Sequence, residues 1–107
     1  MDKNLNQKIK EISDKIVKEY EPEKIVLFGS HAWGEPHEWS DVDLFIIKES
    51  NKNILERIRD VRRILFNTEA PPIDILVYTP AQMKHRLGLG DPFLKQIFSS
   101  GKTLYAR

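Results

Sequence analysis

The chain has 107 residues, a formal net charge of +1 and no cysteine. These features exclude disulfides and thiolate metal sites, and they give no general attraction to nucleic acid or to acidic membranes. Because no apolar stretch approaches the ~18 residues of a membrane span and no signal-peptide pattern opens the chain, we expect one cytoplasmic domain over residues 1–107, without a membrane partner and without nucleic acid as a direct ligand.

The first predicted elements are an amphipathic helix and a short strand. Apolar residues recur at helical spacing over residues 5–20, and Pro22 ends the helix. The apolar run over residues 25–28 is short and partly β-branched, which predicts a buried strand closed by Gly29. Residues 29–40 contain two glycines, a proline and two serines, so we expect a turn and a loop there.

Two further strands and a second helix follow the loop. Val42–Ile47 and Ile73–Tyr78 are short runs rich in apolar residues, and each is predicted to form a strand. Between them, apolar residues at helical spacing predict an amphipathic helix over residues 54–65. The arginines of this helix are expected on its solvated face: Arg57, Arg59, Arg62 and Arg63.

The last third of the chain is predicted to be mainly helical. Thr79 followed by Pro80 is typical of a helix N-cap and of the first helical position. Two glycines interrupt this helix, a short helix follows over residues 92–99, and residues 103–105 are predicted to form a final strand. The order α-β-β-α-β-α-α-β implies an α/β fold of the α+β type, with a small mixed sheet flanked by helices, and leaves the order of the strands open.

Three carboxylates stand in or beside the apolar strands. Asp41 and Asp43 are two residues apart and therefore point to the same side of a strand, while Val42 points to the other side. Asp74 is a lone carboxylate in another apolar strand. If these two strands are neighbours, the three carboxylates converge at one end of the sheet.

Converging carboxylates repel one another, and burying one of them without a partner costs several kcal/mol. A hard divalent cation relieves both effects, since Mg²⁺ prefers carboxylate and phosphate oxygens. Two such ions ~3.5–4 Å apart can activate a hydroxyl group and stabilise a departing pyrophosphate. The alternative is structural, because acidic residues at strand ends often cap a neighbouring helix or face solvent.

A Gly–Ser turn precedes the carboxylates. Gly29 permits a positive φ or a close backbone approach, and Ser30 offers a hydroxyl and an N–H group to a phosphate oxygen. If residues 30–33 begin a helical turn, the free N–H groups of that turn form an anion site. The alternative is an ordinary connection between a strand and a loop.

The pattern Gly29-Ser30, ten residues, then Asp41-Val42-Asp43 resembles the signature of the DNA polymerase β-like nucleotidyltransferase superfamily. Asp74 lies where the third carboxylate of that superfamily is usual. The length, the first helix and the ending over residues 101–105 resemble the minimal nucleotidyltransferase branch, and the similarity covers nearly the whole chain. The resemblance implies the polymerase β-like fold and an enzyme that uses Mg²⁺-bound ATP or another nucleoside triphosphate.

The resemblance also implies roles for the five residues of the pattern. Gly29 and Ser30 would hold the triphosphate. Asp41 and Asp43 would ligate two Mg²⁺ ions, and Asp74 would ligate the catalytic ion and help to deprotonate the attacking hydroxyl. In many relatives this branch is an antitoxin that adenylylates a tyrosine of a separate all-helical HEPN toxin, so we expect AMP transfer to such a partner.

Two other functions and some residue roles stay open. The chain could transfer a nucleotide to a small molecule, with the acceptor site completed by another chain or by a homo-oligomer, or it could neutralise a toxin by binding alone. Relatives often carry arginine at the positions of His31 and Trp33, so this turn departs from the pattern in its charge. Trp33 and Trp39 could stack on a base, contact a partner or simply pack beside the loop. His31 could titrate near neutral pH or be merely exposed.

Overall fold

The computed structural model describes residues 2–34, 41–68 and 71–107. The elements in chain order are α1 (Asp2–Tyr20), β1 (Lys24–Phe28), α2 (Ser30–Trp33), β2 (Val42–Ile47), α3 (Ile54–Ile64), β3 (Ile73–Tyr78), α4 (Pro80–Gly88), α5 (Pro92–Ser100) and β4 (Lys102–Ala106). This is the predicted order, with α2 as a helical turn at the start of the predicted loop. Within the described ranges, no helix is both long enough and apolar enough to cross a membrane.

The strands of the described chain form one mixed sheet in the order β3-β2-β1-β4. β1 pairs antiparallel with β2 on one side and with β4 on the other, whereas β2 and β3 are parallel and are connected through α3. The predicted fold class is therefore confirmed. The strand order, which periodicity left open, puts the strand that contains Asp43 beside the strand that contains Asp74.

Helices cover both faces of the sheet. One face packs against α1 and α3 through aliphatic side chains: Ile9, Ile12, Ile16, Ile25, Leu27, Val42, Leu44, Ile46, Val61, Leu65, Ile75 and Val77. The other face packs against α5 through Val26, Phe45, Ile47, Leu94 and Ile97. β2 thus buries apolar side chains on both faces, which explains its nearly continuous apolar sequence.

The start of α4 is fixed by the predicted cap. The Thr79 hydroxyl accepts a hydrogen bond from the Gln82 N–H at 3.2 Å, and the Gln82 side chain accepts one from the Thr79 N–H at 3.1 Å. Pro80 occupies the first helical position. This reciprocal pair is a capping box, and it holds the end of β3 to the start of the helix.

The prediction that Arg57 lies on the solvated face of α3 is wrong, since this residue is only 3% exposed. Its guanidinium donates to the Lys52 carbonyl at 3.0 Å and to the Gln82 side-chain oxygen at 2.9 Å. The aliphatic stem of arginine can pack in a core while its head finds acceptors, and here both acceptors come from outside α3. The other three arginines of this helix are exposed, as predicted.

Gly101 and Gly88 provide a matched test of the packing between α5 and the sheet. A Cβ atom at Gly101 would collide with the Ile97 carbonyl and lie 2.7 Å from the Val26 side chain, whereas a Cβ at Gly88 would meet nothing within 4 Å. We expect Gly101→Ala to lower the free energy of unfolding by roughly 1–3 kcal/mol. Gly88→Ala should leave it unchanged or raise it by up to about 1 kcal/mol. Urea unfolding measures both, and equal stability of the two variants would contradict the described packing.

Candidate active site

Asp43 and Asp74 lie directly opposite each other on β2 and β3. In a parallel pair, opposite residues project from the same face of the sheet, and this face also carries Phe45 and packs against α5. Asp43 is half-buried and Asp74 is exposed. Strand pairing therefore brings together two of the three carboxylates singled out in the sequence.

Asp41 lies one residue before β2 and is exposed. The next residue, Val42, is fully buried on the opposite face, so the predicted alternation along this strand is confirmed. The Val42 N–H donates to the Pro72 carbonyl at 2.9 Å, which holds the start of β2 against the start of β3. Asp41 thus stands at the same end of the sheet as the pair, close enough for its charge to act on Asp43.

The pKa of Asp43 is raised above its ordinary value. Burial is the largest cause, followed by the negative charge of Asp74, a hydrogen bond with the Asp74 side chain and the charge of Asp41. His31 acts in the opposite direction and lowers the pKa. The cluster therefore opposes its own full ionisation, because burial and the neighbouring negative charges outweigh the effect of His31.

Gly29 connects the Gly–Ser turn to this cluster. Its φ is +78°, a conformation that side chains disfavour, and a Cβ atom built on it would collide with the Asp43 carboxylate. Two independent constraints therefore require glycine at this position. As a result, the backbone of the turn and the central carboxylate are in direct contact.

The turn itself is the single helical turn α2. The N–H groups of Ala32 and Trp33 donate to the Gly29 carbonyl at 3.0 and 3.1 Å. These two amides are engaged within the turn, so the anion site predicted from the N–H groups of residues 30–33 loses these two donors. His31, the next residue, lies near enough to Asp43 for its charge to be felt there.

The donor set fits a hard divalent cation. Among the described residues, no three acidic or imidazole side chains are grouped closely enough to hold a metal ion, so the set of three carboxylate ligands stays a prediction. The Asp43–Asp74 pair nevertheless offers oxygen ligands of the preferred kind, and burial together with the negative charge of Asp74 raises the pKa of Asp43. A cation bound between them would offset the repulsion between the two carboxylates, which is one of the causes of that shift.

Aromatic side chains border the cluster. Phe28 pairs with Asp43 across β1 and β2. Its ring lies 5.5 Å from the Phe93 ring and 6.4 Å from the Trp33 ring, measured between centroids. Sequence reasoning selected Trp33 but missed the other two, because only the pairing of β1 with β2 places Phe28 beside the carboxylates. Trp39, the other tryptophan, lies outside the described residues.

A cleft that the carboxylates do not line lies elsewhere, between α1 and β4. Its volume is about 810 Å³, and its walls include Ile9, Ser13, Leu27, His31 and Leu104. Leu27 belongs to the sheet face that packs on α1, opposite to the face of Asp43. None of the three carboxylates lines this cleft, so we assign the candidate site to the carboxylate cluster on the strength of its chemistry.

Comparisons with known proteins identify a family and a fold. The family model described as "Nucleotidyltransferase domain" matches residues 9–104. The crystal structure of a protein from Sulfolobus solfataricus, described as a presumed nucleotidyltransferase, superimposes with a TM-score of 0.60 at 21% sequence identity, and the match covers 77% of this chain and 73% of that one. No curated protein matches the chain in sequence.

The pKa shift of Asp43 predicts that this residue destabilises the ligand-free protein at neutral pH. Its folded-state pKa lies above the ordinary 3.8, so the folded state binds the proton more tightly than the unfolded state does. The free energy of unfolding therefore falls as pH rises from about 3.8 through the raised pKa. Asp43→Asn removes this loss, so it should be more stable than the wild type at pH 7, with a difference that shrinks towards pH 4.

Thermal unfolding in EDTA measures this difference across the pH range. Asp14→Asn is the matched control, because Asp14 is an exposed carboxylate on α1 paired with Lys10, and its loss should change stability by less than about 1 kcal/mol. An Asp43→Asn protein that is less stable than the wild type at pH 7 would show that the carboxylate is held by favourable contacts instead of opposed by repulsion.

Proposed function

The chain belongs to the nucleotidyltransferase domain family, and we propose that it transfers AMP from ATP to a hydroxyl group of a protein partner. The observation that carries this proposal is the contact of the Gly29 backbone with the Asp43 carboxylate, beside Asp74. A phosphate held at Gly29 and Ser30 would lie next to these carboxylates. The triphosphate and its divalent cations would then share one site, as metal-bound phosphates commonly do.

In the proposed reaction, the acceptor oxygen forms a bond to the α-phosphorus of ATP while the bond to the bridging oxygen breaks and pyrophosphate leaves. The hydroxyl proton passes to Asp74, whose exposed carboxylate an incoming acceptor can reach. Asp41 and Asp43 are the proposed ligands of two Mg²⁺ ions, and Asp74 is a further ligand of the catalytic one. The bound ions would neutralise phosphate charge and lower the pKa of the acceptor hydroxyl.

The exposure of the carboxylates supports a macromolecular acceptor. Asp41 and Asp74 are both exposed, whereas pockets for small molecules bury most of the ligand surface. A tyrosine on the surface of another protein could approach such an edge directly. We propose that this partner is a separate helical protein of the HEPN type, for which the chain would act as an antitoxin.

Asp41→Asn and Asp43→Asn should both weaken binding of MgATP strongly, because each removes a proposed metal ligand. A ligand that binds only the folded state adds about 2.7 kcal/mol of stability at a hundredfold excess over its Kd. The wild type should show a gain of this order with MgATP, and both variants should show much less. Asp43→Asn would then be more stable than the wild type when no ligand is present, and MgATP would raise its stability by less. Calorimetry that finds unchanged MgATP affinity in both variants would remove the metal assignment.

Asp74→Asn should separate binding from transfer. Asparagine keeps the shape of the side chain but lacks its charge and its basicity, so MgATP should still bind while transfer to the acceptor falls by orders of magnitude. The measurement is the intact mass of a co-expressed helical partner, which should gain AMP with the wild type and not with Asp74→Asn.

The same measurement distinguishes the other functions. Equal modification of the partner by both proteins would refute the role of Asp74. A neutralised but unmodified partner in both cases would indicate inhibition by binding alone. AMP transfer to small hydroxyl compounds, without transfer to the partner, would indicate a small-molecule transferase.

A further inference from the structure

Three aromatic residues from three different elements meet at the rim of the candidate site, and we call them the aromatic platform: Phe28, Trp33 and Phe93. Phe28 is the last residue of β1, Trp33 ends α2 and Phe93 lies in the first turn of α5. The Phe28 and Phe93 rings meet edge to face at 86°, and the Trp33 ring is tilted by 33° to that of Phe28. Both pairs lie within the centroid separations at which aromatic rings attract one another, so Phe28 supports its neighbours on both sides.

The two outer rings of the platform are open to solvent. Trp33 is 39% exposed and Phe93 is 44% exposed, while Phe28 between them is partly buried. Exposed aromatic side chains that adjoin one another and border a polar site commonly mark a binding surface. An indole ring is among the largest flat apolar surfaces that a protein can offer.

The position of the platform relative to the Gly–Ser turn limits what can bind there. Phe28 directly precedes Gly29 and pairs with Asp43. Trp33 follows Ser30 by three residues of one helix, a rise of about 4.5 Å along the helix axis. In a nucleoside triphosphate, a single ribose separates the base from the phosphates. If the turn binds the phosphates, the base must therefore lie close to these rings.

We infer that Trp33, supported by Phe28 and Phe93, stacks on the base of the bound nucleoside triphosphate. This inference rests on the proposed function, because it needs the triphosphate at Gly29 and Ser30. Stacking on an indole depends on the area of the base and not on its hydrogen-bonding edge, so the platform favours purines over pyrimidines. The platform therefore favours a purine nucleoside triphosphate, the class to which the proposed substrate ATP belongs.

The test compares ligands with and without a base. The chain has two tryptophans, so Trp39→Phe leaves Trp33 as the sole tryptophan and as a fluorescent reporter. In this background, MgATP should quench the Trp33 fluorescence, and magnesium tripolyphosphate, which lacks a base, should quench it much less. MgCTP should bind more weakly than MgATP.

Calorimetry on Trp33→Ala then measures the contribution of the ring. Its affinity for MgATP should fall by roughly 5- to 150-fold, the range for one stacked base, while its affinity for magnesium tripolyphosphate stays within about twofold. Phe93→Ala should give a smaller loss in the same direction, and it serves as the second variant if Trp33→Ala does not fold. Phe66→Ala is the matched control, since Phe66 is 82% exposed just after the end of α3 and its loss should leave both affinities unchanged.

Each other result overturns the inference in a distinguishable way. If the wild type binds tripolyphosphate but Trp33→Ala keeps full MgATP affinity, stacking is refuted and the proposed function stands. Loss of both affinities in equal measure would indicate a structural role of the ring, and loss of partner binding alone would indicate a docking surface. A wild type that binds neither MgATP nor tripolyphosphate would refute the proposed function together with the inference.

Discussion

The parallel pairing of β2 with β3 is the constraint on which the candidate site depends. It places Asp43 opposite Asp74, and the same register joins Leu44 to Ile75 in the core. Because side chains alternate along a strand, a slip of one residue would turn Asp74 towards the aliphatic face and Ile75 towards the carboxylate face. The apolar packing under α1 and α3 therefore fixes the geometry of the polar cluster, and the core and the site cannot vary independently.

This arrangement holds like charges together in the absence of a ligand. Asp43 is half-buried beside Asp74 and Asp41, and its raised pKa records the resulting cost. A cation bound at this cluster would relieve the repulsion, and this relief would contribute to the free energy of binding. Gly29 allows the backbone of the Gly–Ser turn to approach the Asp43 carboxylate without a side chain between them.

The sequence predicted the local features well because their causes are local. Val42–Ile47 and Ile73–Tyr78 were bounded correctly by apolar content, and Thr79 was identified as a cap by its own chemistry. Strand order depends on pairings between distant segments. The sequence therefore predicted that Asp43 and Asp74 meet only if their two strands are neighbours. Arg57 was misplaced for the same reason, because one of its acceptors, Gln82, is 25 residues away. Phe28 and Phe93 likewise could not be selected from the sequence, because only tertiary contacts bring them beside the carboxylates.

The position of β4 in the chain has a consequence for folding during synthesis. β4 pairs with β1, from which it is separated by more than seventy residues, so the ribosome completes every residue of the candidate site before it completes the sheet. Until Lys102–Ala106 emerges, the backbone groups of β1 on that side have no strand to bond, and an open edge of this kind is a template for pairing with another chain. The hazard of this topology is therefore association between unfinished chains. Chaperones would reduce this association, whereas slow local translation before β4 would increase it.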